Sequence, residues 1–546
     1  MYSKRIPQAP PIRRGGACNH CKRRKMRCDG MRPICGPCSK VASLEDCEYG
    51  EGGRTYADQL QEQITGLETR VEELQNTKVA PNVLALHDPY YASRNSHMSR
   101  SASRASGSNQ TMNSSEGRTQ FAQEKALMEA FQPHALQLGF FLDAGNIIYA
   151  FSSPNSDPRQ RPTSALSAAM ALLGAYLSPS PNILHLKEMY LSKAVQAASL
   201  GLSESHPQKI LHTLQANVLI SHYFFLHGRN LEGRWHLDNA VSLILSARMH
   251  RIRSSQIQDP QFISPSSTTT LPPARNVAEE GDRMNAMWTV LALNCLWSAA
   301  EGVPASIAYT TEQGRVDTPW PLDPNSYTDA TFPPDLKNSH TLQKFLADIP
   351  DGVHSLLALY VKAAVLFEQT TVFSKRYSNP ASRTPFEMRG FHSTFQNLRS
   401  IITRILTEVP PIKSGASAGT KKRLFVIDAL LRATMIRLYC TFGAHDPSCC
   451  PMILDMANGM MKCLAMVDME STAFWDPIMA IIWGGPASVF IQSIQISNNA
   501  GETQNSIRSL NQIMGMMARY SADNALMLSE TQLAEIQAKY AAVTRR

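Results

Sequence analysis

Apolar side chains recur at steps of three and four over ten long stretches of the chain: 164–177, 183–200, 207–226, 231–249, 282–302, 353–373, 386–406, 421–442, 452–469 and 505–520. That spacing lays one stripe of a helix against a core. Few segments alternate apolar and polar residues at period two, so strands are not expected. The helical stretches are separated where proline and serine cluster, at 178–181, 254–273 and 318–334. The span 121–546 therefore reads as a large all-α domain of packed helical hairpins. One apolar run, 478–492, is about fifteen residues long and contains Pro486. It falls short of the roughly twenty residues that a membrane span needs and is expected to be a buried helix, with no membrane partner.

A tighter pattern precedes this region. Ala57, Leu60, Ile64, Leu67, Val71 and Leu74 fall at alternating steps of three and four. Ile64 and Val71 then occupy heptad position a, and Leu60, Leu67 and Leu74 position d. That choice suits a parallel two-stranded coiled coil over 57–78, and hence a homodimer. About three heptads are present and Gly66 weakens the helix by roughly 1 kcal/mol. An amphipathic helix laid on the rest of the chain fits the same length. Beyond it, the Ser-, Arg- and Asn-rich 92–120 has almost no apolar content, and a disordered linker is expected over 79–120.

Cysteine usage changes the picture. Six of the eleven cysteines, Cys18, Cys21, Cys28, Cys35, Cys38 and Cys47, follow the spacing C-x2-C-x6-C-x6-C-x2-C-x8-C. The pattern is an internal repeat, C-x2-C plus a third cysteine, and each half can wrap one zinc ion. Two tetrahedral Zn2+ ions need eight ligand positions, so two of the six sulfurs must be shared. By the pseudo-symmetry of the repeat these are Cys18 and Cys35. Three disulfides are the competing use of six cysteines. The opening MYSKRIPQAP lacks the apolar region of a secretory signal, so a reducing compartment is expected, where such spacing favours metal. His20, squeezed between two ligands, is not expected to reach the same ion.

The charge is local. Residues 1–40 hold eleven Lys and Arg against a single acid, Asp29, a net of +10 in a chain of +8, which leaves about −2 for the remainder. Part of this charge offsets the two surplus negative charges of six thiolates around two Zn2+. The rest forms the footprint of a phosphate-binding surface. Five of the six residues between Cys21 and Cys28 are basic: Lys22, Arg23, Arg24, Lys25 and Arg27. A short helix held at both ends by zinc would fan them over one face, able to enter the major groove of double-stranded DNA. The same run suits a nuclear-import signal.

The run ACNHCKRRKMRCDGMRPICGPCSKVASLEDCEY, from Ala17 to Tyr49, closely resembles the DNA-binding zinc cluster of fungal Zn(2)-C6 transcription factors. The likeness covers the basic stretch after the second cysteine, the CDG after the third, and Pro33 two residues before the fourth. It implies a nuclear regulator of RNA polymerase II transcription whose cofactor is two Zn2+ on the six cysteines, with the transcription machinery as a partner. It assigns Lys25, three residues before the third cysteine, to reading a CGG triplet, with Arg24 beside it. Lys22, Arg23 and Arg27 are left to position the phosphate backbone; the family more often carries Lys where this chain has Arg27. The resemblance also places a dimerisation coil directly after the cluster. The linker 50–56, with Glu48 and Tyr49, makes nine residues that span up to roughly 30 Å, which suits paired CGG-type half-sites in inverted repeat.

The helical half is similar to the middle homology region of the same regulators. The counterparts are the aromatic pair Tyr223 and Phe224, the turn Gly228 and Arg229, the dipeptide His250 and Arg251, Trp288, and Gly302 with Pro304. The expected organisation is a basic arm 1–16, a Zn2Cys6 binuclear cluster module 17–49, the linker 50–56, the coiled coil 57–78, the disordered linker 79–120 and the all-α regulatory domain 121–546. No H-E-x-x-H or dinucleotide fingerprint occurs, the run KSGASAGTKK at Lys413 reads as a flexible loop, and an enzyme is not expected. Cys449 and Cys450 beside His445 and Asp446 make a poor metal site, because adjacent cysteines bind one ion badly. A metabolite-sensing helical half, and a repressor in place of an activator, both remain compatible with the sequence.

Overall fold

The chain divides into two units, Met1–Ser108 and Asn109–Arg546. In the computed structural model the described residues are 16–32, 34–40, 47, 65 and 68, and then 115–544 apart from 154, 179–183, 257–270, 313, 378–384, 442–449, 468–475 and 524–526. Among the described residues of the first unit are two short helices, α1 (Asn19–Arg23) and α2 (Gly36–Ser39), and Thr65 and Glu68 are helical as well. The coiled-coil positions Leu60, Ile64, Leu67, Val71 and Leu74 lie outside the described residues, as do His445, Asp446 and Cys449.

Among its described residues the second unit is built of helices, and the one extended pairing is an isolated bridge between Ser254 and Asn338. Its helices are α3 (Ser115–Phe131), α4 (Ala144–Ser152), α5 (Ser164–Leu177), α6 (Leu184–Leu200), α7 (Lys209–Leu226), α8 (Asn230–Ser246), α9 (Val277–Glu301), α10 (Thr341–Leu346) and α11 (Leu356–Arg376). They continue with α12 (Pro385–Glu408), α13 (Ala418–Cys440), α14 (Cys450–Leu464), α15 (Met479–Ile482), α16 (Gly484–Ile496), α17 (Ala500–Asp523) and α18 (Met527–Thr544). Several begin where a short polar side chain satisfies an orphan N–H. Thr163 accepts from Leu166, Asn276 from Glu279, Ser355 from Ala358 and Ser417 from Thr420. The Asn276 cap starts α9 at Val277, five residues before the apolar period became visible at Asp282.

Each of the ten expected stretches contains a helix among its described residues; α5 packs on α6, α7 on α8 and α16 on α17 as chain neighbours, while α9 packs on α11 and α11 on α13 across an intervening helix. Helix α7 is the wedge between two apolar cores, since every residue from Leu211 to Leu226 is buried. Leu219, Ile220, Tyr223 and Phe224 face the core built with α3, α5 and α6. Leu214, Val218 and Phe225 face the larger core formed with α9, α11 and α13. In that core Phe225 stacks on Trp297 at 3.7 Å and Trp288 on Trp320 at 4.4 Å.

Two expectations need correction. Helix α3 begins at Ser115, inside the stretch 79–120 assigned to a disordered linker. Its polar first turns hide the period, and only Leu127, Met128 and Phe131 reach the core. There it crosses α5 so closely that a Cβ on Gly174 would strike the Leu127 carbonyl. The run 478–492 is two helices, α15 and α16, broken at Trp483. Among the described residues two segments are long and apolar enough to cross a membrane by composition alone: α11, whose apolar window is 78% buried in the fold, and Met479–Ile496, whose window is 50% buried.

Candidate metal centre and nucleic-acid interface

The internal repeat in the cysteine spacing is also a repeat in structure. Cys18 and Cys35 are the N-cap residues of α1 and α2, both extended, with φ and ψ of −64° and 158° and of −74° and 151°. Each helix then carries the second cysteine of its C-x2-C pair in the first turn, so both sulfurs point to the same side. The Cys21 N–H donates to Cys18 Sγ at 3.4 Å, and the Cys35 N–H to Cys47 Sγ at 3.3 Å.

The six sulfurs form two groups of four, Cys18, Cys21, Cys28 and Cys35, and Cys18, Cys35, Cys38 and Cys47, with ligand atoms within 4.8 Å of one another in each. The groups share Cys18 and Cys35. Individual separations are 3.7 Å for Cys18 to Cys35, 3.7 Å for Cys18 to Cys38 and 3.6 Å for Cys21 to Cys35. A tetrahedron with zinc–sulfur bonds of about 2.3 Å has an edge of about 3.8 Å, whereas a disulfide needs about 2.05 Å. The spacing fits zinc, and all six cysteines are free thiols. Five of them are buried and Cys47 is half-buried. His20 is buried too, but it stands outside both groups.

Burial opposes ionisation of Cys18 and Cys35, yet both lie below the ordinary thiol range, Cys35 at about 6. Hydrogen bonds from neighbouring thiols and from the first-turn N–H groups outweigh burial at these two. Cys21 is pushed up to about 12, first by burial and then by the Cys18 and Cys35 sulfurs. Cys38 is pushed up chiefly by Cys35, and Cys47 chiefly by burial. Thiols this close cannot all ionise unless cations sit between them.

The basic residues follow a different course from the one their spacing predicted. Lys22, Arg23, Arg24, Lys25 and Arg27 are all exposed, but only Lys22 and Arg23 belong to the helix. The helix stops because the chain must turn back to bring Cys28 to the cluster. It ends in a Schellman motif: the Met26 N–H donates to the Cys21 carbonyl at 3.0 Å and the Lys25 N–H to the Lys22 carbonyl at 3.2 Å. The residue at the turn is Lys25, with φ of 51°, a left-handed position that glycine usually fills. Arg27 lies beyond it in irregular chain.

Two residues of the CDG run and its surroundings have roles that spacing did not show. The Asp29 carboxylate accepts the Gly36 N–H at 2.9 and 3.1 Å and the Met31 N–H at 3.3 Å, tying the loop after Cys28 to the start of α2. A Cβ on Gly36 would collide with that carboxylate. Gly30 supplies a turn at φ of 72°. The acid inside an otherwise basic stretch was the available signal.

In the helical unit the residues that carried the resemblance hold helix ends and one long loop. Gly228, φ 66°, lets the Arg229 N–H reach the Phe224 carbonyl at 2.9 Å, and the Arg229 guanidinium lies over the Phe224 ring. Arg251 binds Asp317 at 2.9 Å, and the His250 carbonyl accepts the Asp317 N–H. Trp288 donates to the Pro319 carbonyl at 2.7 Å. Gly302 ends α9 with φ of 71°, and the Pro304 carbonyl accepts from Arg234 at 3.1 Å.

Comparison with known proteins agrees with both halves. Residues 16–54 match the fungal Zn(2)-Cys(6) binuclear cluster domain, and residues 128–408 match the fungal specific transcription factor domain. This chain belongs to the fungal Zn(2)-Cys(6) transcription factors, a family of zinc-binding regulators and not of enzymes. The Neurospora crassa transcriptional activator protein acu-15 is 34% identical over 64 residues, 11% of this chain and 7% of its own length. The citrinin biosynthesis transcriptional activators mrl3 of Monascus ruber and ctnR of Monascus purpureus are each 39% identical over 77 residues. Those matches cover 12% of this chain and 15% and 13% of theirs. The chain thus spans only a small part of these relatives' length. No solved structure matches it.

Proposed function

We propose that the chain is a sequence-specific DNA-binding regulator of RNA polymerase II transcription, acting in the nucleus as a homodimer on paired CGG-type half-sites. The observation that carries this reading is the pair of four-sulfur groups sharing Cys18 and Cys35, with the exposed basic segment Lys22 to Arg27 looped out between two of their ligands. Two Zn2+ ions held by Cys18, Cys21, Cys28, Cys35, Cys38 and Cys47 would supply most of the folding free energy of so small a module. Lys25, lifted off the helix end by its left-handed turn, is the residue we assign to guanine O6 and N7, with Arg24 next to it. Lys22, Arg23 and Arg27 position the module on phosphates. Leu60, Ile64, Leu67, Val71 and Leu74 pair two such modules, and two modules require two half-sites.

Selection from random double-stranded DNA with the full chain tests this. The expected result is two CGG-type triplets at fixed separation, lost when zinc is removed with a chelator. Recovery of a single triplet with no fixed partner overturns the dimer, and DNA binding that survives complete zinc removal overturns the whole reading.

A further inference from the structure

The helical unit contains a cavity of about 380 Å³ between the end of α9, the segment after it and the last turns of α11. That volume lies within the range of small-molecule sites. Its walls are mostly apolar, with Ala299, Val303, Pro304, Ile307 and Val372. Among its polar lining groups is Glu368, a carboxyl only 6% exposed.

Glu368 is incompletely satisfied. Tyr309 donates to its Oε2 at 2.5 Å and Gln369 to the same oxygen at 2.9 Å, while Gln369 also donates to the Tyr309 hydroxyl at 2.8 Å. Both donors therefore meet one oxygen. Among the described residues none reaches Oε1, which is not sealed in the protein, and Glu368 lines the cavity. No described ion pair involves Glu368. The one cation among the lining residues, Lys375, donates to the Gly302 carbonyl at 2.6 Å. A nearly buried carboxyl without a cation is costly unless one is supplied. From this geometry we infer that the cavity binds a small, largely apolar molecule carrying a protonated amine, with the ammonium on Glu368 Oε1 and the apolar body against Val303, Ile307 and Val372. Burial holds the empty-site carboxyl above its usual range, against the two hydrogen bonds that lower it, and an ammonium on Oε1 would bring it down. The inference does not depend on how the chain binds DNA.

The probe is para-fluorophenethylamine, titrated by fluorine NMR into the full zinc-loaded chain, beside para-fluorophenethyl alcohol and para-fluorophenylacetate. The amine is expected to bind saturably and the acid not at all. Glu368→Gln should weaken the amine at least about tenfold and the alcohol much less, because only the amine loses a charge-assisted bond. Val372→Trp, on a rim residue that is 48% exposed, should close the cavity to every probe without changing the thermal melt. Absence of saturable binding overturns the inference. So does amine binding that survives both substitutions, or an acid that binds as tightly as the amine. If Glu368→Gln disturbs folding, the Val372→Trp result decides alone.

Discussion

Both oxygens of the Asp29 carboxylate accept the backbone N–H of Gly36, at 3.1 and 2.9 Å, so that the loop leaving the third cysteine is tied to the helix that the fourth caps and that carries the fifth. The bond joins the two halves of the cysteine repeat without using a sulfur. Asp29→Ala leaves an N–H unpaired beside the cluster, at about 1–3 kcal/mol. Gly36→Ala should be at least as damaging, because its methyl would push the carboxylate away. Both should speed zinc transfer to a colorimetric chelator while leaving the helical circular dichroism intact.

Lys25 gives a way to separate folding from reading. Its left-handed backbone costs roughly 1 kcal/mol that glycine would not incur. Lys25→Gly is expected to hold zinc at least as well as the natural chain and yet to lose about 1–3 kcal/mol of discrimination between a CGG site and a mutated one. Competition binding with the two DNA duplexes measures the difference. A glycine variant that retains full discrimination removes Lys25 from base recognition.

Arg27 should behave otherwise. As a phosphate contact it adds affinity without sequence preference, so Arg27→Ala should weaken all duplexes alike and reduce the salt slope of log K by about 1. Binding isotherms at several salt concentrations show this.

The shared sulfurs predict unequal consequences for the six cysteines. Cys18→Ala or Cys35→Ala removes a ligand from both four-sulfur groups, whereas Cys28→Ala or Cys47→Ala removes one from a single group. Native mass spectrometry should find both ions lost in the first pair and about one retained in the second. Lowering the pH should release zinc in all of them, since protons compete for the thiolates.

Asp317 is the anchor of the long loop between α9 and α10. It is fully buried and takes Arg251 at 2.9 Å, Arg315 at 3.0 Å, Ser254 at 2.7 Å and the His340 N–H at 2.9 Å. Burial raises its pKa, but these partners together hold the carboxyl well below the usual range. A depressed folded-state value means stability that is complete above the unfolded value of about 3.9 and is lost as the pH falls below it. Asp317→Ala takes from Arg251 its carboxylate and leaves Arg315 with Glu312 alone, and should cost about 3–5 kcal/mol, read from thermal unfolding. It should also remove this residue's share of the loss of stability in acid.

Much of the helical unit was legible because an amphipathic stripe needs no knowledge of its partner: α5, α7, α9, α11 and α13 all lie where the apolar period put them. Helices α3, α4, α10 and α18 were not seen, being short or having polar turns that dilute the period. The basic run showed its charge but not its shape, since a helix end depends on where Cys28 must return. The heptad residues Leu60, Ile64, Leu67, Val71 and Leu74 lie outside the described residues, and their pairing rests on the heptads.

What the sequence determined by itself is the chemistry of the N-terminal module. Ligand type, loop length and local charge suffice to specify a metal cluster and a phosphate-binding face, and even the sharing of Cys18 and Cys35 follows from a repeat visible in the spacing. Tertiary structure alone decided the left-handed turn at Lys25, the clasp of Asp29 on Gly36, the burial of Asp317 among arginines and the meeting of Tyr309 with Glu368. Each is a contact set by how the chain folds back on itself, between residues whose types do not announce one another.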